Sequence, residues 1–163
     1  MRNTVNPAVP DVVEHRERLY VPWWGWPLPV LGAVLLAAEL HMGYPGIRAW
    51  LPYLVTLPLV AALMLSLGRS RVRVTGGDEP TLWVGDAHLP LRFAGEVEVL
   101  DKDTKRPALG RDGDPAAFVL HRGWVGPAVR VRLTDSDDPT PYWLFSTRHP
   151  EKVAKLLRAA GAR

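Results

Sequence analysis

Acidic, basic and imidazole side chains that fall close together are the first places to look for chemistry. The segment DKDTKRPALGRD at 101–112 sets Asp101 and Asp103 as the first and third positions of a calcium loop. Arg106 then stands where such a loop requires glycine, and Asp112 where it requires a bidentate glutamate, so the stretch reads as a charged hairpin turn. DSDDPTP at 135–141 offers Asp135, Asp137 and Asp138, but aspartate before proline is ordinary turn chemistry. The five histidines are far apart in the sequence, and no two have the four-residue spacing that sets a pair of imidazoles on one helical face. There is no G-x-S-x-G elbow, Walker phosphate loop or G-x-G-x-x-G turn. With no cysteine, thiolate zinc sites and cysteine nucleophiles are excluded. The expectation is a protein without enzymatic activity, with no catalytic residues, cofactor or metal.

Two segments have the residue types to bind an anion. In STRHPE at 146–151, a helix starting near Pro150 presents unpaired N–H groups and a positive dipole end beside Ser146, Thr147, Arg148 and His149. The same residues serve equally as a helix cap, with Arg148 paired to the Asp137/Asp138 turn. Arg69, Arg71 and Arg73 form the second cluster. Strand alternation directs Arg71 and Arg73 to one face, away from Val72 and Val74, where they could meet lipid headgroups or simply bias membrane topology.

The elements that position these residues fall into two unlike parts. No charged side chain occurs from Leu19 to Ala38 or from Trp50 to Gly68, and each run approaches the roughly 20 residues that a helix needs to cross a bilayer. Pro22, Pro27 and Pro29 crowd the start of the first run and Pro52 that of the second, where a missing N–H costs least. The predicted division is a segment at 1–21, a transmembrane hairpin at 22–69 with spans near 27–43 and 50–69, and a second domain at 70–163. Pro58 is expected to kink the second span. Trp23, Trp24 and Trp26, then Trp50 and Tyr53, give the aromatic-belt pattern. Arg16 and Arg18 precede the first span and Arg69, Arg71 and Arg73 follow the second, whereas the loop holds only Arg48. The positive-inside rule therefore puts both termini in the cytoplasm, with the protein multi-pass in the plasma membrane. Glu39 then lies near the outer end of the first helix, either as an interfacial carboxylate or paired with His41, Arg48 or a partner helix.

Beyond the spans the sequence alternates in short runs: RVRV (71–74), TLWV (81–84), LPLRF (89–93), EVEVL (96–100), AAFVLH (116–121), AVRVRL (128–133) and YWLFST (142–147). Glycine, proline and aspartate clusters separate them. After Pro150, residues Val153, Leu156, Leu157 and Ala160 recur at helical spacing. Seven strands closed by one amphipathic helix is the order of a pleckstrin-homology-like (PH-like) barrel. The predicted class is α+β: a two-helix transmembrane hairpin followed by a small PH-like antiparallel β-barrel capped by a C-terminal helix.

The stretches ERLYVPWWGW (17–26), AAELHMG (37–43), WLPY (50–53), RVRV (71–74), VGDAHLPL (84–91) and DDPTPYWLFSTRHPEKVAKLL (137–157) together resemble an actinobacterial family of small two-pass membrane proteins of uncharacterised function. The resemblance spans nearly the whole chain. It implies a membrane location and a bacterial PH-like cytoplasmic domain, and it supplies no catalytic residues. Where the family pattern often has a longer tryptophan run, this chain has Gly25.

The formal charge of +3 comes from basic residues scattered among acidic ones, which argues against nucleic-acid binding. The leading expectation is a non-catalytic, membrane-tethered PH-like module that docks a protein partner or helps to assemble a membrane complex, the partner being another protein or a second copy of itself, with recognition of anionic lipid as the alternative and a membrane enzyme acting on a lipid-linked substrate less favoured. Glu39, His41, Trp23, Trp24, Trp26 and Trp124 are the candidate partner or membrane contacts. Arg69, Arg71, Arg73 and Arg148 are the candidate anion contacts. Trp143 is assigned to the core, and Trp124, in the glycine-flanked RGWVGP turn, is expected to be exposed.

Overall fold

The computed structural model describes residues 13–43 and 46–161. The chain divides into two compact units, residues 20–70 and residues 1–19 with 71–163.

The first unit is a helical hairpin of α1 (Pro27–Met42) and α2 (Leu51–Leu67), preceded by a 3₁₀ turn at Trp23–Gly25 and joined by another at Gly46–Trp50. Prolines occupy the first turn of both helices, where no intrahelical donor is lost. Pro58 lies inside α2. With the flanking 3₁₀ turns, the two segments Trp23–Met42 and Gly46–Leu67 are long and apolar enough to cross a membrane. Ala33, Ala37 and Ala49 are buried in this unit, while Leu28, Leu31, Leu35, Leu54, Leu59 and Leu65 are exposed. Small residues inside and large aliphatic ones outside is the distribution that lipid-facing helix pairs use. Thr56 Oγ1 donates to the carbonyl of Ala33 across the pair at 3.4 Å.

The second unit carries eight strands. One four-stranded sheet runs β1 (Val13–Arg18), β2 (Arg71–Thr75), β3 (Thr81–Val84), β4 (Ala87–Pro90), all antiparallel. The other has the order β5 (Ala94–Leu100), β7 (Ala128–Leu133), β8 (Tyr142–Ser146), β6 (Phe118–Leu120), with β6 parallel to β8. Six of the seven runs of alternating sequence are strands or contain one, whereas LPLRF (89–93) supplies only the last two residues of β4 and then a 3₁₀ turn at Leu91–Phe93. The β3–β4 turn has Gly85 at φ +66°, the left-handed conformation that a two-residue hairpin turn demands and glycine supplies.

Three expectations are corrected here. The sheets do not close into a barrel. They meet face to face over one core in which Leu19, Val72, Val74, Leu82 and Val84 join Val97, Val129, Val131, Trp143 and Phe145. The acidic stretch after β5 is not a hairpin turn but α3 (Lys102–Leu109). Asp101 caps it, its Oδ1 accepting from the backbone N–H groups of Asp103 and Thr104 at 3.1 and 2.8 Å. Lys105 is buried and donates to the carbonyl of Val125 at 2.5 Å, and burial, with Lys102 adding to it, holds its pKa below the usual 10.5. This helix carries the chain from β5 toward β6, the kind of crossover that strands on opposite edges with one direction require. Finally, the segment before the first span is not separate: its residues 13–18 form β1, the edge of the first sheet.

The C-terminal helix α4 (Pro150–Ala159) packs on β2, β5 and β7. Val153, Ala154 and Leu157 are fully buried, with Leu156 and Ala160 packed partly against the core, as the spacing predicts. Among the described residues, Phe145 is the largest side chain that is completely buried. Truncation by Phe145→Ala is expected to destabilise the β unit by about 3–5 kcal/mol, measured by chemical denaturation of the full-length protein in detergent. Val119→Ala, on the exposed side of β6, should stay within about 0.5 kcal/mol of the parent.

Candidate functional site

The corner where β8 runs into α4 is the STRHPE segment, and its anion is already present: it is the chain's own Glu17. Residues His15, Glu17 and Leu19 of the first strand region turn inward, whereas Arg16 and Arg18 turn outward. The Glu17 carboxylate takes the Thr147 hydroxyl on Oε2 at 2.6 Å and the Arg148 backbone N–H on Oε1 at 2.8 Å. Thr147 is fully buried and Glu17 nearly so. The chemistry assigned to this segment is thus present, but its partner comes from the opposite end of the sequence and not from the Asp137/Asp138 turn. That turn is self-contained, with Asp138 accepting from Thr140 N–H at 2.8 Å and Asp135 from Asp137 N–H at 3.0 Å.

Two imidazoles complete the corner. His15 Nε2 lies 3.6 Å from Glu17 Oε2, and His149 Nδ1 lies 3.7 Å from the same oxygen. The two rings meet edge to face at 6.0 Å. Burial holds the His15 pKa below its ordinary 6.5, with Lys152 and His149 acting in the same direction and the Glu17 carboxylate opposing. Burial thus disfavours the charged form of His15. A cleft of about 350 Å³, lined by Val13, Glu14, His15, Arg16, His149 and Lys152, opens beside it. Sequence reasoning missed His15 and Glu17, although the i, i+2 spacing in VEHRER does put both on one strand face.

The opposite face of the same ladder is basic. Arg16 pairs directly with Arg73, and Arg18 with Arg71, so four arginines share one side of β1 and β2, with Trp83 next to Arg73 on β3. The Trp83 ring lies 4.9 Å from that of His88. Arg16, Arg71 and Arg73 form no ion pair among the described residues, and the Arg73 Nε is buried without a hydrogen-bond partner. The second sheet is built the other way, with Glu98 opposite Arg130 in an ion pair and Glu96 Oε2 3.3 Å from Arg132 Nε.

The remaining candidates scatter. Trp124 is not an exposed contact: it is half-buried against the core, and its Nε1–H donates to the carbonyl of Leu19 at 3.2 Å. Trp143 is in the core, as assigned, stacked on Phe118 at 4.4 Å. Glu39 lies exposed in the last turn of α1 and pairs with neither His41 nor Arg48. His41 instead packs edge-on against Trp50 and Tyr53 at 5.5 and 5.9 Å. Trp23 is 82% exposed, Trp24 also exposed and Trp26 half-buried. A side chain at Gly25 would place its Cβ 2.8 Å from Val21 Cγ1, which accounts for glycine inside this tryptophan cluster. Arg69 is exposed.

Fold and site together define a class: an apolar helical hairpin inserted between the first two strands of a two-sheet α+β unit. Within that class the chain belongs to the family DUF3093, described as a protein of unknown function, whose model matches residues 14–157. No curated protein matches the chain, and no solved structure does. The matched range begins in β1, which the inserted hairpin separates in sequence from the rest of its sheet.

Replacing Glu17 by alanine leaves two inward donors without an acceptor, at about 1–3 kcal/mol each. Glu17→Ala should therefore lower the unfolding midpoint of the full-length protein well below that of Glu17→Gln, which retains an acceptor oxygen. Thermal unfolding followed by circular dichroism compares the two.

Proposed function

We propose that the chain is a non-catalytic PH-like module, anchored by two spans in the plasma membrane with both termini cytoplasmic, that holds anionic lipid headgroups on the arginine face of its first sheet. The observation that carries this reading is the direct opposition of Arg16 to Arg73 and Arg18 to Arg71. Like charges facing each other across a ladder are destabilising, and a phosphate between opposed guanidinium forks relieves the repulsion while accepting charge-assisted hydrogen bonds. In sequence, only residues 19–22 and 68–70 separate these strands from the apolar segments, and basic residues next to a span are those that meet anionic lipid. In sequence, Arg69 adds a further basic residue between the second apolar segment and β2.

The two-pass orientation rests on the same arginines, since the loop between the helices contributes only Arg48. Docking of a protein partner is the second reading. Its favoured contact, Trp124, is packed inward, but β6 is an edge strand whose Val119 is 45% exposed, a surface suited to strand addition.

Native mass spectrometry of the full-length protein in mild detergent, with phosphatidylglycerol or phosphatidylcholine added, tests the lipid reading. Retention of phosphatidylglycerol is expected to exceed that of phosphatidylcholine and to weaken with salt. The Arg71→Gln/Arg73→Gln variant should lose about 30-fold in affinity, at about 1 kcal/mol for each arginine. Equal retention of both lipids, or a preference that the double variant leaves unchanged, overturns it. A stoichiometric protein partner that copurifies in that case supports docking instead.

A further inference from the structure

On the inward side of β1, the geometry points to a binding site for a divalent transition-metal ion of the zinc class, held by His15 Nε2, Glu17 Oε2 and His149 Nδ1 with one coordination position open to the adjoining cleft. The three ligand atoms lie within 4.8 Å of one another, and the two edges that meet at the carboxylate oxygen measure 3.6 and 3.7 Å. A tetrahedral zinc ion with bonds of about 2.0–2.1 Å sets neighbouring ligand atoms about 3.3 Å apart. Closing the triangle asks for a small movement, and the His149 side chain, 61% exposed, is free to make it.

A second observation stands apart from this clustering. His15 is only 8% exposed, yet its Nε2 has no hydrogen-bond partner. The nearest carboxylate oxygen, at 3.6 Å, is too distant for a hydrogen bond, and an unsatisfied buried nitrogen calls for an explanation. A metal ion between the imidazole and the carboxylate provides one. The Thr147 hydroxyl and Arg148 N–H already fix the orientation of the Glu17 carboxylate, the support that metal ligands usually receive from their neighbours.

Two imidazoles and one carboxylate select zinc and its neighbours over calcium or magnesium, which prefer all-oxygen shells. With three protein ligands and a fourth position open, the set differs from a closed structural site, in which four protein ligands surround the ion. Lys152 lines the same cleft, so the open position favours water or a small anion as the fourth ligand. This inference is independent of the lipid reading, which concerns the opposite face of the strand.

The test uses the full-length, untagged protein in detergent, stripped with a chelator and then titrated with Zn²⁺ against a chromophoric competitor. The expected result is one zinc per chain, with affinity lower by about 100-fold or more in His149→Ala, beyond the change typical of losing a supporting neighbour. Because His149 is largely exposed, that variant retains the fold, which circular dichroism checks. Co²⁺ as a second probe should give the intense visible absorption of low coordination number, absent in His149→Ala and unaffected by excess Mg²⁺. Bound zinc should also raise the unfolding temperature of the parent but not of the variant. Absence of zinc binding, or equal binding by parent and His149→Ala, overturns the proposal.

Discussion

The Glu17 carboxylate is the interaction on which the β unit depends. It sits on an edge strand that the helical hairpin separates in sequence from the rest of its sheet, and it satisfies the donors at the corner where β8 becomes α4. One buried acceptor thereby joins the two ends of the sequence. A second tie runs nearby: the Trp124 indole donates to the carbonyl of Leu19, a core residue just beyond β1. Both bonds bind to the fold a strand that contributes few apolar side chains of its own, because its inward positions are largely His15 and Glu17. Burying a carboxylate there is tolerable because its oxygens are hydrogen-bonded.

The same strand faces two chemistries. Alternation sends His15 and Glu17 to one side and Arg16 and Arg18 to the other. The inward side gathers two imidazoles and a carboxylate, while the outward side lays two arginines directly against two more on β2. Elsewhere the protein neutralises its cross-strand charges, as in the Glu98–Arg130 pair on the second sheet. The contrast sets the arginine face apart, because a row of like-charged guanidinium groups attracts anions.

The helical unit follows a different rule. Most of its large aliphatic side chains are exposed while Ala33, Ala37 and Ala49 are buried, so the apolar surface is offered to the surroundings instead of hidden from them. In water such a surface is costly. In a bilayer it is the expected arrangement, with small residues letting the helices approach.

The sequence by itself determined the elements. Charge-free runs of sufficient length specify the two helices, alternation and turn residues specify six strands, and helical spacing after Pro150 specifies α4, because these signals are local and depend only on the period of each backbone. The tertiary structure decided what local signals cannot carry. VEHRER does not read as a strand, since its inward residues are polar, and only pairing with β2 makes it one. The α3 segment reads as a turn by composition until Asp101 caps it and Lys105 finds the Val125 carbonyl. Two open sheets replace a barrel because pairing between strands is a long-range choice. The candidate site lay hidden for the same reason: His15 and Glu17 share a face only once VEHRER is paired as a strand, and no spacing relates them to His149, which folding alone brings beside them.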